Sequence, residues 1–344
     1  MLVSDRSSPP LSLAYSEMAT INELASSDVN NHVTLAILTP SQLDNIAPFV
    51  ATRVIGSLRG IKMMDLFFPF RFFGWEGFTP PESQVMQPAH SLRHVRITSG
   101  SVGAMIALIN RAPALEYLSL GFSSMPVETD ITVTDRALFC LRRLSMWRSN
   151  TFSMPRCVPK ILASGRGTLR SLSVTVDMIE SLEFEGQSAG FHFANSLVHL
   201  ALMTGDPIRS SSPGGSTHVR DDQTLQASRF IHTCPRLAHL SLAGFLAADL
   251  PRILAAVIRP LVSLAYRPSI EDDIVATSIF RPMFEEGHQA VSRLRVLAFS
   301  EYGIGPDCPV VGALCKRQRT VITFYGDLVS LMARRGTSKF RKLL

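Results

Sequence analysis

A six-residue phrase recurs nine times along this chain and constrains its fold more than any other feature. In each copy an apolar residue is followed, three and five positions later, by two further apolar residues. The copies are Leu58-Ile61-Met63, Leu92-Val95-Ile97, Leu115-Leu118-Leu120, Leu141-Leu144-Met146, Leu169-Leu172-Val174, Leu197-Leu200-Leu202, Leu237-Leu240-Leu242, Leu261-Leu264-Tyr266 and Leu294-Leu297-Phe299. Five of the eight steps between first leucines span 23 to 28 residues, so the chain is built from repeats.

The spacing of apolar residues within the phrase predicts a short strand. Its last two apolar residues stand two apart and therefore point to one face of a short strand, while the first enters the core from the preceding turn. One copy cannot bury that face alone, but copies stacked about 4.8 Å apart pair into a parallel sheet with a continuous apolar interior. We therefore predict an α/β leucine-rich-repeat solenoid of about nine or ten repeats, an irregular horseshoe with a parallel concave sheet and convex helices. In the alternative, the phrases are the apolar faces of helices in an ordinary α domain. Nine copies in regular order, each bordered by Pro, Gly or Ser, disfavour that alternative.

The segments between phrases are predicted to return as helices, which the sequence indicates most clearly at 101–110, 224–232, 249–258 and 308–317. Pro113, Pro235 and Pro260 stand just before later phrases, where a return helix has to stop. No asparagine follows the phrases at the position where many leucine-rich repeats carry one, so irregular curvature is expected.

Three segments are predicted along the chain: a flexible start at residues 1–32, a leucine-rich-repeat domain at 33–325 and a basic tail at 326–344. The longest step contains the run Ser210 to Gly215, whose serine, proline and glycine content predicts an exposed, protease-sensitive loop. The basic character is local, because residues 315–344 hold eight lysines or arginines and one aspartate while the whole chain carries +6.

Composition favours a folded protein inside the cell. Hydrophobic residues make up 46% and charged residues 18%, and no apolar run reaches the roughly 18 residues of a membrane span. The five cysteines form no C-x-x-C pair and are odd in number, which favours reduced thiols over a disulfide framework. The polar N-terminus does not look like a secretory signal, so we expect a cytoplasmic or nuclear protein without a transmembrane segment.

Two stretches carry a resemblance to a known family. The stretch from Ala114 to Leu120 and the stretch from Cys234 to Leu242 resemble the repeat regions of fungal F-box-like leucine-rich-repeat proteins. The likeness covers about residues 33 to 325. It implies a substrate receptor of a cullin-type ubiquitin ligase, with a protein target held by the repeats and a ligase adaptor as a second partner.

The residues that flank the central apolar position of each strand predict the surface on which a target would bind, because they point away from the core. The predicted protein-binding residues are Arg93, His94, Arg96, Tyr117, Arg142, Arg143, Trp147, His199, Met203, His239 and Arg267, with Ser171, Ser173 and Ser241 between them. Arg, Tyr and Trp are enriched at binding hot spots and concentrate in the second to fourth phrases. The main contacts are therefore predicted at Arg143 and Trp147, against the alternative that this face is merely solvated.

An enzyme is not expected, although one motif deserves comparison. Gly186-Gln187-Ser188-Ala189-Gly190 fits the G-x-S-x-G nucleophile elbow of serine hydrolases, with His288 and Asp272 or Asp273 as imaginable partners. The elbow needs a buried strand before its serine, whereas the residues before Gly186 are half charged. A hydrolase built on Ser188 is therefore the weaker hypothesis.

Metal and nucleic-acid binding are also weighed and not expected. His199 and His239 hold the same place in adjacent phrases, so their side chains should approach within about 5 Å on an exposed sheet face. Two imidazoles are half a metal site, and no third ligand stands at a fixed spacing, so no cofactor is predicted. The tail, with Arg334, Arg335 and Lys339, suggests a charge-recruited membrane-surface or structural scaffold as a further alternative, without a signature of specific nucleic-acid recognition.

Overall fold

The computed structural model describes residues 2–4, 33–38, 63–67, 90–98, 112–122, 141–148, 167–179, 193–204, 216–268, 276–299 and 308–324. The chain forms two compact units, Met1–Leu169 and Arg170–Leu344. The segments predicted at 1–32 and 326–344 lie outside the described residues except for Leu2–Ser4, as do the helix predicted at 101–110 and the loop at 210–215.

The sheet of the first unit follows the order of the chain. Its strands are β1 (Leu2–Ser4), β2 (Val33–Leu38), β3 (Met63–Phe67), β4 (His94–Thr98), β5 (Tyr117–Phe122) and β6 (Arg143–Arg148). β1 pairs antiparallel with β2, and from β2 to β6 every strand pairs in parallel with the next. Parallel neighbours in chain order are what stacked copies of one strand-and-return unit produce.

The second unit repeats this architecture, and helices are among its described elements. Its strands are β7 (Ser171–Thr175), β8 (His199–Met203), β9 (His239–Ala243), β10 (Ser263–Arg267), β11 (Val296–Phe299) and β12 (Val321–Phe324), each parallel to the next. The helices are α1 (Ser216–His232), α2 (Leu250–Ala255), α3 (Ala276–Glu285) and α4 (Cys308–Arg317), and each one contacts the next. Apart from the antiparallel β1, both units are open parallel sheets, so the predicted leucine-rich-repeat fold class is confirmed.

Strand register confirms eight of the nine phrases and corrects one. Val95, the central residue of the second phrase, pairs in register with Met64, and Ile97 pairs with Leu66. The central and last positions of this repeat are therefore Met64 and Leu66, and the copy assigned to Leu58-Ile61-Met63 was placed three residues too early. The register also extends the array at both ends, because β2 and β12 pair as further copies that the sequence search missed.

The core is the apolar column formed by the phrases. All three leucines of the copy that begins at Leu197 are 0–2% exposed, and burying one such side chain stabilises a fold by about 1.5–3 kcal/mol. Aromatic rings fill the space between sheet and helices in the second unit. Phe280 of α3 lies 5.1 Å from the ring of Phe299 and 6.3 Å from that of Tyr266. The buried Tyr266 hydroxyl donates to the Phe245 carbonyl at 2.9 Å, so its polar group is satisfied within the core.

Main-chain hydrogen bonds join successive repeats just before six of the described strands, β5, β6 and β8 to β11. The carbonyl of Arg93, two residues before the central Val95, accepts from the N–H groups of Glu116 (2.8 Å) and Tyr117 (3.0 Å) in the next repeat. This two-donor joint recurs at the carbonyls of Glu116, Arg170, Val198, Ala238 and Val262. The joint fixes the repeats without the asparagine that many leucine-rich repeats use.

The predicted return helices agree with the structure to different degrees. The segment 308–317 is α4 as predicted, α2 lies inside the predicted 249–258, and α1 begins at Ser216, eight residues before the predicted start at 224. α3 was not predicted, and it contains Pro282, a residue that usually argues against a helix interior. Within the described residues, no helix is both long and apolar enough to cross a membrane.

Candidate protein-binding surface

The strand residues on either side of the central apolar position line the face opposite the core, which we call the non-core face. Three rows cross it, formed by the residues just before the central position, just after it and three after it. In the first unit these rows hold Met63, His94, Tyr117 and Arg143; Asp65, Arg96, Ser119 and Ser145; and Phe67, Thr98, Gly121 and Trp147. In the second they include Ser171, His199, His239 and Ser263; Ser173, Ala201, Ser241 and Ala265; and Thr175, Met203, Ala243 and Arg267.

In the first unit, two aromatic rings and a guanidinium follow one another along the first row. His94 and Tyr117 have ring centroids 5.8 Å apart, tilted by 57°, and Arg143 stands in register with Tyr117 on the next strand. All three side chains are half-buried, whereas Arg96 in the second row is exposed. Trp147 lies in the third row, where the structure describes its backbone position only.

Charged side chains also stand at the joints before the strands. Arg93, Glu116 and Arg142 hold equivalent places in three successive repeats. Arg93 Nη1 lies 3.6 Å from Glu116 Oε1 and donates to the Ala114 carbonyl at 3.1 Å. Arg93 therefore links two repeats, while Arg142 is exposed beside Arg143.

The pKa of the His94 imidazole is lowered from its ordinary value. Burial lowers the pKa of His94, the neighbouring Glu116 carboxylate raises it and the Arg143 guanidinium lowers it again. In the first row, Arg143 supplies a positive charge, and His94 and Tyr117 supply ring surface.

In the second unit, His199 and His239 are close together as predicted, but His239 is buried whereas His199 is half-buried. The two rings stack at 4.1 Å with an interplanar angle of 14°, and His239 Nδ1 shares a 2.8 Å hydrogen bond with Ser263 Oγ. His239 is only 8% exposed and Ser263 only 1%. Ser241 is buried too, so the expectation of an exposed face at His239 and Ser241 is corrected.

The other predicted residues of the second unit remain accessible. Ser171, Ser173 and Met203 are half-buried, and Arg267 is exposed at the end of β10. Sequence reasoning missed Ser263, which a row-by-row alignment of the phrases would have placed beside His239, and Glu116, which occupies the position of Arg93 and Arg142.

The described residues assemble neither the serine-hydrolase triad nor a metal site. Ser188, Asp272 and Asp273 lie outside the described residues. His288 Nδ1 accepts the Ala290 N–H at 3.2 Å and begins a 3-10 helix over Gln289–Val291. Across the same described ranges, no cluster of three His, Cys, Asp or Glu side chains is placed to hold a metal ion.

The parallel sheets in chain order, built on the repeated phrase and followed by return helices, define the fold as that of leucine-rich-repeat proteins. No protein-family model matches the chain, and no curated protein sequence matches it.

Solved structures give weak similarities in shape. One is the leucine-rich-repeat-containing protein LegL7 from Legionella pneumophila, with 12% identity, 89% of this chain and 87% of that chain covered, and a TM-score of 0.48. Another is TLR13 in its complex with ssRNA13, with 12% identity, 85% of this chain covered and a TM-score of 0.33. The match spans 44% of the TLR13 chain.

Proposed function

We propose that this protein is a non-catalytic scaffold that binds another protein through the non-core face of its first unit. The observation that carries the proposal is the row formed by His94, Tyr117 and Arg143, in which two rings and a guanidinium stand side by side, half-buried. Half-buried Tyr and Arg side chains can be desolvated fully by a partner with little loss of rotamer freedom, because their neighbours already restrain them.

The surface extends beyond this row. Arg96 and Trp147 occupy the second and third rows of the same unit, and Arg142 adjoins Arg143. Tyr, Trp and Arg are the side chains that most often dominate binding energy. Met203 and Arg267 would serve as peripheral contacts on the second unit, and His239 would act there by holding His199 in place.

The more specific proposal is a substrate receptor of a cullin-type ubiquitin ligase. It is supported by the resemblance of the repeat phrases to F-box-like leucine-rich-repeat proteins, with residues 33–325 as the repeat domain and residues 1–32 and 326–344 as its flanks. In this proposal the first unit would hold the target, and a ligase adaptor would be a second partner inside the cell.

The experiment is affinity purification of the tagged full chain followed by quantitative mass spectrometry, comparing wild type with Tyr117→Ala/Arg143→Glu. A matched control is Ile258→Ala/Arg259→Glu, which removes an exposed apolar and an exposed basic side chain after α2. Circular dichroism establishes that all three proteins are folded.

Partners lost from the first variant and retained by the control would support binding at this face. Partners retained by both variants would overturn the proposed site. Recovery of ligase adaptor subunits with wild type would support the receptor proposal, and a partner set without them would leave only the general scaffold.

A further inference from the structure

Arg142, at its joint, and Arg143, in the first row of the non-core face, place two positive charges on consecutive residues of the first unit. Arg93 is already paired with Glu116, at 3.6 Å. Within the described ranges, neither Arg142 nor Arg143 forms an ion pair, although both reach the surface, Arg142 exposed and Arg143 half-buried. The guanidiniums of these two consecutive residues have ten N–H donors between them and match carboxylates, which accept bidentate hydrogen bonds.

Two aromatic rings, those of Tyr117 and His94, follow Arg143 along the same row. Tyr117 stands in register with Arg143 on the neighbouring strand, and the His94 ring lies 5.8 Å beyond it. Adjacent strands are about 4.8 Å apart, and an extended peptide advances about 3.3 Å per residue. A peptide crossing the strands would thus place an aromatic side chain on the rings one or two residues away from side chains at the arginines.

The charges around the arginines favour a peptide over a nucleic acid. Glu116 holds the joint position between Arg93 and Arg142. Each nucleic-acid strand carries a negative charge about every 3.4 Å, so a bound strand would bring phosphates against this carboxylate. A peptide carries acidic groups only where its sequence puts them, and it avoids that repulsion.

We infer that this face binds an extended acidic peptide segment of a protein partner, with consecutive carboxylates on Arg142 and Arg143 and a neighbouring aromatic side chain on His94 and Tyr117. The inference rests on the proposed function and names the chemical class of the partner. The expected contact is mainly electrostatic at Arg142 and Arg143 and mainly apolar at His94 and Tyr117.

The test is fluorescence anisotropy on the full chain with a labelled synthetic probe, two consecutive glutamates followed by a tyrosine within a glycine–serine spacer. Two comparison probes replace both glutamates by glutamine or the tyrosine by alanine, and a labelled single-stranded oligonucleotide is the polyanion control. The proteins are wild type, Arg142→Glu/Arg143→Glu and the control Arg252→Glu/Arg259→Glu, which changes the charge equally at two exposed arginines of the second unit.

We expect Arg142→Glu/Arg143→Glu to weaken binding of the acidic probe at least about tenfold, as should the glutamine replacement, while the Arg252→Glu/Arg259→Glu control binds like wild type. Equal binding of the acidic and glutamine probes, or binding unaffected by Arg142→Glu/Arg143→Glu, would overturn the inference. Tighter binding of the oligonucleotide would overturn it in favour of nucleic acid. If the probe fails while cellular partners still depend on Tyr117 and Arg143, the acidic-peptide class is wrong and the proposed function stands.

Discussion

His199 and His239, from adjacent strands, stack their imidazole rings at 4.1 Å, and Ser263 on the next strand holds the second ring through Nδ1 at 2.8 Å. The three residues occupy one row of the sheet, so ordinary parallel register produces a polar chain in which His239 and Ser263 are buried. Buried polar groups stabilise a fold when they are hydrogen-bonded and destabilise it when a partner is removed.

This arrangement predicts that His239 and Ser263 are energetically coupled. Ser263→Ala should lower the free energy of unfolding by about 1–3 kcal/mol, because it removes the hydroxyl bonded to a buried imidazole nitrogen. His239→Ala should lower it by a similar or larger amount, because it also leaves a cavity beside His199. Urea denaturation measures these changes, and the double variant should lose less than the sum of the two. Strict additivity would contradict the coupling, and the exposed His90→Ala is the control.

Replacing Gly244 by alanine is predicted to cost more stability than the same replacement at Gly287. Both have positive φ, +81° and +70°, so either Gly→Ala change carries backbone strain of about 1–2 kcal/mol. A Cβ on Gly244 would in addition overlap Thr204 Oγ1, whereas one on Gly287 would meet open space. Thermal unfolding should therefore show a larger loss for Gly244→Ala, partly recovered by adding Thr204→Ala. Equal losses at the two glycines would show that the Thr204 contact does not matter.

Cys234 should be unreactive in the folded protein. Burial raises the pKa of its thiol to about 12, and Sγ donates to the Phe230 carbonyl at 3.4 Å. Because the thiolate is the reactive species, alkylation by iodoacetamide at pH 8 should be slow and should become fast in urea. Peptide mass spectrometry assigns the modification, and Cys234→Ser removes the signal. Rapid native labelling at this position would contradict the buried environment.

The raised pKa of Cys234 also predicts a dependence of stability on pH. The free energy of unfolding should fall as the pH rises from the pKa of the thiol in the unfolded chain towards 12, because only the unfolded state releases the proton in that range.

The imidazole of His94 should respond in opposite directions to its two charged neighbours. Glu116→Gln removes a group that raises the pKa of His94 and should lower it further, whereas Arg143→Gln should raise it. An NMR pH titration of the ring protons measures both shifts, with Arg252→Gln as a remote control. Shifts of the same sign in the two variants would show that the carboxylate and the guanidinium do not act on His94 as the structure indicates.

Much of the fold was predictable because the phrase reports the core directly. The register of eight phrases, the full extent of α4 and the place of α2 follow from apolar spacing and from prolines that end helices. The first repeat was misplaced because Leu58-Ile61-Met63 and Ile61-Met64-Leu66 both satisfy the pattern, and only pairing with β4 distinguishes them. α3 was missed because Pro282 obscures its amphipathic pattern.

The candidate surface was predictable in position but not in exposure. Alternation along a strand places His94, Tyr117, Arg143 and His239 on the same kind of face. Whether each side chain is accessible depends on its neighbours in adjacent repeats, and the sequence pattern does not report those contacts. His239 therefore became a buried residue held by Ser263, while Arg143 kept its access to the surface.

The two-donor joint has a consequence for how such a chain can change over generations. A main-chain carbonyl accepts the hydrogen bonds of the joint, so the joint does not constrain the type of side chain at that position. Arginine, glutamate, valine and alanine all occur there. Segments between joints can gain or lose residues without disturbing the next strand, as the 40-residue step after Leu197 illustrates. Substitutions at the surface can therefore change what the protein recognises, while the main-chain hydrogen bonds that hold the repeats together are kept.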